Sequence, residues 1–554
     1  MIRTQLADAL RAQLAAAGIP VDGDIHLEQP QRREHGDWSS NVAMANAKKA
    51  GRNPRELAQQ LVDGLNAALP AHVERVELAG PGFVNFHLRP TWLHEVLRSV
   101  VAAGTDGYAQ LDVGTGTKVM VEFVSANPTG PLHAGHARGA TYGDALARLL
   151  TRAGYDVSRE FYINDRGTQM QKMGASMLAR ATGEPVPEGG YEGEYIAEWA
   201  KELPADVVAA GDVEAATAVG YECALRDQRE VLGELGVVFD VWFSEMSLLS
   251  SGAIEQTLAD LRERGVVEDR DGAVWLRSTD FGDDKDRVLI KSDGEFTYLL
   301  PDIAYHRDKF ARGFDLLVNV WGADHHGYVA RMSAAIQALG HRPEQLDVQI
   351  TQLVKLLKAG EEVKISKRTG DIIELRDVIE EVGADATRLV YLLQSIDSPQ
   401  TVDLAVIASQ SMDNPVFYVQ MAHARLCSIA ARAAERGIAT PPLAEVDLAP
   451  LVHARELDVL RLLNSLPSVI ELAARERAPH KVTTWLRELA SEIHGFYHDC
   501  PILRDDVDAG TRAARLWLGE AALVGLRVGL SVLGASAPES MPSLSGSDDS
   551  DSDD

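Results

Sequence analysis

The chain has 554 residues, of which 45% are apolar and 25% charged, a composition typical of a globular protein with several domains. Its formal net charge is −28, and five of these charges lie in the terminal SDDSDSDD. There is no signal peptide pattern and no apolar run long enough to span a bilayer, which predicts a cytoplasmic protein without a membrane partner. The three cysteines, Cys223, Cys427 and Cys500, are far apart, so neither a disulfide framework nor a zinc site is expected.

Residues 1–108 predict a small separate domain. Apolar residues from Ile2 to Leu14 recur with a helical period, and a turn-rich stretch follows them. Asn53-Pro54 is typical of a helix start. Residues 73–88 alternate like two paired strands around Gly80-Pro81-Gly82, which predicts a β-hairpin.

The segment 118–165 predicts a βαβ unit. An apolar run from Val119 to Val124 has the length and composition of a strand, and a loop with prolines and glycines interrupts it. HAGH follows at 133–136, and a helical pattern then continues towards Gly154. Residues 156–165 begin a second strand. Because such crossovers are right-handed, this order implies a parallel sheet.

The two histidines of HAGH are expected about one turn apart on one face, at the start of the helix. Gly135 would let a bulky ligand approach the backbone there. The first amides of a helix lack partners and hold anions such as phosphates, and imidazoles can add hydrogen bonds to charged oxygens. The alternative is a surface cap or half of a metal site.

A second stretch, KLLKAGEEVKISKRTGD at 355–371, predicts a flexible basic loop. Lys364, Ser366 and Lys367 lie within it, between Gly360 and Gly370. Such a loop could close over a triphosphate and follow the charge of departing pyrophosphate. The alternative is a solvated basic turn.

HAGH followed some 230 residues later by KISKR resembles the two signatures of class I aminoacyl-tRNA synthetases, usually written HIGH and KMSKS. HGDWSSN, NPRELA and GPGFVNFHL resemble the additional N-terminal domain of arginyl-tRNA synthetases, and DNPVFYVQMAHARLCSIAARAAERG resembles the start of their helical C-terminal domain. The chain departs from the signatures at Ala134, which replaces isoleucine, and at Arg368, which replaces the last serine. The acidic tail is a further departure.

This resemblance implies an α/β protein with a Rossmann-like class I catalytic domain, an α+β N-terminal domain and an all-α C-terminal bundle. The implied domains are a tRNA-elbow-binding domain at 1–108, the catalytic domain at 109–400 with an insertion at about 171–285, an anticodon-binding bundle at 401–541 and an acidic, disordered tail at 542–554.

The resemblance also implies a reaction and its partners. L-Arginine and ATP, with Mg²⁺ bound to the ATP, would give arginyl-adenylate, and the arginyl group would pass to the 3′-terminal adenosine of tRNA(Arg). His133 and His136 would stabilise the phosphates in the transition state, and Lys364 and Lys367 would follow the leaving pyrophosphate. The residues implied at the ATP site are Pro131, His133, Gly135, His136, Lys364, Ser366 and Lys367.

In the family, a glutamate and an asparagine before HIGH and a tyrosine and aspartate in YxxxD spacing hold arginine. They match Glu122, Asn127, Tyr298 and Asp302, and a guanidinium does require planar, charged acceptors. Two alternatives remain open from the residues alone. Glu122, in an apolar strand, could form a buried structural ion pair, and Asp302 could cap the following helix.

Asp324, His325 and His326 could be metal ligands, but we expect ribose or adenylate contacts, since no further ligand cluster is near them. No metal bound by the protein itself is expected, and a monomer is expected on family grounds. Two rival functions are a catalytically silent RNA-binding paralogue and another class I ligase, such as the cysteinyl enzyme. The intact HAGH and KISKR argue against the first, and the lack of clustered cysteines and the N-terminal domain argue against the second.

Overall fold

The structure is a computed structural model that describes residues 2–21, 23–30, 32–358, 360–362, 373–409 and 411–541. The N-terminal domain contains an antiparallel sheet in the order β1-β3-β2 with helices packed on it. Asn53 caps a helix by accepting from the Arg55 N–H, and strands pair around Gly80-Pro81-Gly82, so both sequence predictions are confirmed. The elements are α1 (Ile2–Ala16), β1 (Trp38–Ser40), α2 (Val42–Ala47), α3 (Pro54–Ala67), β2 (Val73–Ala79), β3 (Phe83–Leu88) and α4 (Thr91–Gly107), with a 3₁₀ helix at Arg33–His35.

The central part of the chain alternates strands and helices. Its first half contains β4 (Lys118–Glu122), α5 (Ala134–Arg152), β5 (Asp156–Ile163), α6 (Thr168–Thr182), α7 (Glu194–Ala200), α8 (Ala205–Ala210), α9 (Val213–Glu234), β6 (Val241–Ser244), α10 (Glu245–Ser250), α11 (Ala253–Glu263), β7 (Val267–Arg270), β8 (Ala273–Leu276) and β9 (Arg287–Ile290). Its second half contains α12 (Leu299–Ala311), β10 (Leu316–Gly322), α13 (Val329–Ala338), β11 (Leu346–Thr351), β12 (Val354–Lys358), β13 (Glu361–Glu362), α14 (Leu375–Val382), α15 (Ala384–Tyr391), β14 (Gln400–Asp403) and α16 (Leu404–Ala408). Short 3₁₀ helices lie at Ser278–Phe281, Ala323–Tyr328 and Pro343–Gln345.

Within the described residues, the main sheet has the strand order β11-β10-β4-β5-β6, and all its neighbours are parallel. The predicted βαβ unit is confirmed as β4-α5-β5. The order in which strands are added to the sheet reverses between β4 and β10: β5 and β6 extend it on one side, and β10 and β11 on the other. Ligands of doubly wound folds bind at such a point, beyond the carboxyl ends of the strands.

The segment predicted as an insertion at about 171–285 does not stand wholly apart from the main sheet. Strand β6 lies inside that segment and pairs in parallel with β5, from Glu160↔Val241 to Ile163↔Ser244. Strands β7, β8 and β9 form a separate antiparallel sheet with its own apolar core around Leu276 and Leu289. The carboxyl end of β6 therefore belongs to the edge where the site is expected.

A small sheet follows the main one in the chain. Strand β12 pairs in parallel with β14 and antiparallel with β13, which directly precedes residues 363–372. The C-terminal bundle consists of α17 (Pro415–Glu435), α18 (Ala454–Glu476), α19 (His480–Asp499) and α20 (Ala509–Leu533), with a 3₁₀ helix at Leu443–Glu445. By length and composition α20 could span a bilayer, contrary to our reading of the sequence, but 72% of its most apolar window is buried. Its apolar residues form the core of the bundle.

Candidate active site

The histidines of HAGH lie at the N-terminus of α5, where the sequence placed them. His133 precedes the first turn, and its Nδ1 accepts a hydrogen bond from the Gly135 N–H at 3.1 Å. The His136 Nδ1 accepts from the His133 N–H at 3.1 Å, and the two ring centroids are 3.8 Å apart. Because both Nδ1 atoms are acceptors, each neutral imidazole has its proton on Nε2. Both rings thus have a donor at Nε2, which is the chemistry needed beside phosphate oxygens.

Two glycines let α5 approach its neighbours closely. A Cβ on Gly135 would lie 2.8 Å from atoms of the His133 ring, so the absence of a side chain gives that imidazole its place. A Cβ on Gly143 would overlap the ring of Phe123, which follows β4. Gly135 therefore makes room for the His133 ring, a role beyond the close ligand approach that the sequence predicted for it.

The loop between β4 and α5 is held from outside by α9. Gln228 is fully buried, and its Nε2 donates to the carbonyls of Asn127 and Gly130, both at 3.1 Å. The Asn127 side chain donates to the Gln169 Oε1 at 2.9 Å. Pro131 is half-buried between this loop and the motif. The loop between β4 and α5 is thus anchored by Gln228, a residue that the sequence analysis did not single out.

The predicted basic loop reaches the histidine motif through its flanking residues. Lys364, Ser366 and Lys367 lie outside the described residues. The chain that follows them pairs with the motif, because the Ala134 N–H donates to the Ile373 carbonyl at 3.0 Å and the Leu375 N–H donates to the Leu132 carbonyl at 2.8 Å. The C-terminal flank of the loop is therefore next to HAGH.

Glu122 ends β4 and is 6% exposed. The fully buried Lys309 of α12 donates to its Oε2 at 2.5 Å, and the Ser125 hydroxyl donates to its Oε1 at 3.0 Å. Lys309 also donates to the Asn319 Oδ1 at 3.1 Å, and Asn319 is the register partner of Glu122 on β10. The buried ion pair considered from the sequence is thus present, and a role of Glu122 in arginine binding stays a prediction.

Asp302 lies in the first turn of α12, at the carboxyl edge of the sheet. The Tyr328 hydroxyl donates to its Oδ2 at 2.5 Å, and the helix cap is Tyr298, so the capping alternative for Asp302 is wrong. Burial raises the pKa of Asp302 to about 7, and the negative charges of Glu122 and Glu245 act in the same direction. Near neutral pH a bound cation would therefore favour the charged form of this carboxyl group.

Glu245 is a third acidic residue at this edge, and the sequence analysis missed it. It directly follows β6, is 6% exposed and lies 3.4 Å from the Arg166 guanidinium. Burial raises its pKa. The pKa of Tyr162, on β5, is raised by burial and by the charges of Glu245, Asp302 and Glu122, so all three carboxylates lie around one phenol. The sequence feature that could have indicated Glu245 is the polar pair Ser244-Glu245 at the end of a short apolar run.

The remaining predicted residues are more exposed. Tyr298 is 87% exposed, and Asp324, His325 and His326 lie in the exposed 3₁₀ helix after β10. The His325 Nε2 and the Asp324 Oδ2 are 3.7 Å apart. In the part of the chain that the structure describes, no group of three or more His, Cys, Asp or Glu side chains is arranged to hold a metal ion. Contacts of these four residues with arginine, ribose or adenylate stay predictions.

The sequence matches three family descriptions in order. These are the arginyl-tRNA synthetase N-terminal domain at residues 2–88, the class I (R) tRNA synthetase catalytic domain at 98–186 and 226–427, and the DALR anticodon binding domain at 419–541. Together they follow the three structural parts of the chain.

Similar proteins agree over the full length. The chain is 45% identical to arginine–tRNA ligase 1 of Halalkalibacterium halodurans, covering 98% of this chain and 99% of that one, and 44% identical to arginine–tRNA ligase of Bacillus subtilis, covering 98% and 100%. The fold is similar to that of Thermus thermophilus arginyl-tRNA synthetase, with a TM-score of 0.73 and 23% identity, covering 98% of this chain and 100% of that one. The matched domains and these identities establish that the chain belongs to the arginyl-tRNA synthetase family.

Proposed function

We propose that the protein is an arginine–tRNA ligase that works in two steps. In the first, a carboxylate oxygen of arginine attacks the α-phosphorus of Mg²⁺-bound ATP, the bond from that phosphorus to the bridging oxygen breaks, and pyrophosphate leaves. In the second, a hydroxyl of the 3′-terminal adenosine of tRNA(Arg) attacks the arginyl carbonyl carbon, and AMP leaves. Neither step needs a covalent enzyme nucleophile, because positioning and charge stabilisation suffice.

The observation that carries this proposal is a group of three acidic side chains, of which Glu122 and Glu245 are buried and Asp302 is half-buried. Glu122, Glu245 and Asp302 lie at the carboxyl edge of the sheet around Tyr162, and only Glu122 has a buried lysine partner. A guanidinium entering this pocket would find planar, charged acceptors. Each charged hydrogen bond contributes roughly 1.5–3 kcal/mol, so two that lysine cannot reproduce would select arginine strongly.

The phosphates would lie at the N-terminus of α5. The amides of residues 133–136 already donate within the protein, so the Nε2 donors of His133 and His136, together with the positive end of the helix dipole, would stabilise charge that develops on the α-phosphate. Lys364 and Lys367 would take up the β- and γ-phosphates. Because Lys367 precedes Ile373 by six residues, the chain allows it at most ~20 Å from a residue that pairs with the motif.

The partners follow from the domain order. We assign the tRNA elbow to the N-terminal domain, the anticodon to the helical bundle and the cytoplasm as the compartment, and we expect a monomer in solution. Asn127 and Tyr298 would close the arginine pocket, and Asp324, His325 and His326 would contact the adenylate.

ATP-dependent charging of total tRNA, tested with each of the twenty amino acids, examines this proposal. We expect charging with arginine alone. Tight tRNA binding without charging would identify a catalytically silent RNA-binding paralogue, and charging with another amino acid would identify a different class I ligase. Light scattering after size-exclusion chromatography tests the monomer, which a mass of two chains would contradict.

A further inference from the structure

Arg138, two residues after HAGH, makes an unusual set of contacts for a buried cation. It is 2% exposed. Its Nη1 donates to the Gln352 carbonyl at 3.0 Å, and its Nη2 donates to the carbonyls of Ser395 and Ser398, both at 2.8 Å. Within the described residues, no carboxylate forms a salt bridge with it. Burying a guanidinium among neutral carbonyls is costly, and burial accordingly lowers the pKa of Arg138.

The three carbonyls belong to the base of the small sheet. Gln352 joins β11 to β12, and Ser395 and Ser398 lie between α15 and β14. The two segments are tied to each other, since the Gln352 N–H donates to the Ile396 carbonyl at 3.0 Å and Val354 pairs with Gln400. One side chain of α5 therefore holds both strands at the end where they begin.

This small sheet leads into the lysine-bearing segment. Strand β12 turns into β13, and residues 363–372, which include Lys364 and Lys367, follow directly. On the far side of that segment, Ile373 and Leu375 pair with the backbone of HAGH. The chain is thus attached to α5 on both sides of residues 363–372: before them through Arg138, and after them through Ile373 and Leu375.

We propose that Arg138 is a positioning residue for adenylate formation, which fixes the small sheet, directly before the lysine-bearing segment in the chain, relative to the histidines of HAGH. The proposal rests on the proposed function, because it takes the lysines to act on the ATP phosphates. A misplacement of about 1 Å in such a site can lower a rate by about 100-fold. The arginine pocket lies on other elements, so arginine binding should not depend on Arg138.

Arg152, in the last turn of the same helix, provides a matched control. Its guanidinium donates to the carbonyls of Asp106, Thr105 and Tyr108, at 3.1, 2.6 and 2.6 Å. As in Arg138, the Nε has no hydrogen-bond partner within the described residues, and burial lowers the pKa. Arg152 attaches α5 to the C-terminal end of α4, far along α5 from HAGH. Replacing Arg152 with lysine removes guanidinium–carbonyl hydrogen bonds like those of Arg138, but at the C-terminal end of α5.

The experiment compares Arg138→Lys with Arg152→Lys in the full chain. Arginine-dependent ATP–pyrophosphate exchange, with tRNA(Arg) present, gives kcat and the KM for arginine, and thermal melting gives stability. We expect a similar small loss of melting temperature in both variants. Arg138→Lys should lower kcat about 10–100-fold with the arginine KM within about two-fold, whereas Arg152→Lys should keep kcat within about two-fold of the wild type.

A kcat for Arg138→Lys within two-fold of the wild type, or an equal loss in both variants, would overturn the proposal. If Arg138→Lys does not fold, Gln400→Ala decides. The buried Gln400 donates to the Val390 carbonyl at 2.6 Å, so its truncation loosens β14 while Arg138 remains. That variant should lower kcat and preserve the arginine KM, and unchanged kcat would reject the role of the small sheet. Failure of the proposed function is distinct, because the wild type itself would then show no arginine-dependent exchange.

Discussion

The pKa of Asp302 predicts how arginine affinity depends on pH. This pKa is raised to about 7, first by burial and then by the charges of Glu122 and Glu245. In the proposed complex the guanidinium binds the charged carboxylate, so a proton on Asp302 competes with arginine. The perturbation is therefore a change of pH from 8 to 6, which crosses this pKa.

The expected size follows from the titration. With a pKa of about 7, roughly one tenth of Asp302 is charged at pH 6 and roughly nine tenths at pH 8. The KM for arginine should thus rise about tenfold as the pH falls from 8 to 6, which corresponds to about 1.4 kcal/mol. The charge of arginine itself does not change over this range, because the guanidinium stays protonated.

The assay is arginine-dependent ATP–pyrophosphate exchange at saturating ATP between pH 6 and pH 8.5, with Asp302→Asn as the control. The control should have a raised KM for arginine that is independent of pH in this range. A flat KM in the wild type, or the same slope in Asp302→Asn, would show that the proton competing with arginine is not on Asp302. A normal KM in the control would place the guanidinium elsewhere.

Four further outcomes are expected. Asp302→Asn should stabilise the arginine-free protein at pH 8 by no more than about 4 kcal/mol. Because a carboxyl group with a raised pKa lowers the stability of the folded protein as the pH rises, the increase in melting temperature should shrink towards pH 5. An increase in melting temperature that does not change with pH would contradict this. Lys367→Ala should lower the kcat of exchange about 100-fold while arginine KM stays within about two-fold, and unchanged turnover would remove this lysine from the mechanism. Glu245→Gln should raise the arginine KM about tenfold or more, the loss of one charged hydrogen bond, and a KM equal to the wild type would exclude it from the pocket. Lys309→Met should lower stability by about 3–5 kcal/mol, because it leaves Glu122 buried without its cation; a smaller loss in denaturant unfolding would contradict this.

The position of HAGH could be predicted from local pattern. An apolar strand, a Pro-Gly loop and a helical period place His133 and His136 at a helix start, and the structure confirms this position, with the ring centroids 3.8 Å apart and the ring planes tilted by 35°. Local rules suffice because the backbone amides of that turn determine where both Nδ1 atoms bind.

Glu245 could not be found in the same way, because its place depends on a strand pairing. β6 has four residues, too few for a clear alternating pattern, and a long helical stretch separates it from β5. The sequence analysis therefore assigned it to an insertion. Only its parallel pairing with β5 brings Glu245 to the carboxyl edge of the sheet, and pairing between distant segments is not encoded in local periodicity.

Arg138 illustrates a different limit. A polar residue in the second turn of a helix is normally solvated, so its burial could not be expected from the pattern. Its partners are backbone carbonyls, which every residue has, and they leave no trace in the sequence. Such a contact can be recognised only when the positions of Gln352, Ser395 and Ser398 in the fold are known.

The polar face of α12 was within reach of the sequence, although it was not recognised. Asp302, Tyr305, His306 and Lys309 recur at i, i+3, i+4 and i+7, which by itself suggests a solvated stripe. Two apolar runs each contain one polar residue, however: Glu122 in VMVEF and Asn319 in LLVNVW. Buried polar groups must find partners, so two such strands in one sheet require a polar surface to cover them.

In the structure, one chain of hydrogen bonds gives these buried polar groups their partners. His306 is held neutral, its pKa lowered to about 3 by burial and by Lys309, and its Nδ1 donates to the Asp302 carbonyl at 2.8 Å. Its Nε2 accepts from the Asn319 Nδ2 at 2.9 Å, and Lys309 bridges Asn319 to Glu122. The Glu122 carboxylate is thus joined to the backbone of Asp302 through the covering helix. A helix stripe matched to isolated polar residues in neighbouring strands is a pattern that predicts such a polar network.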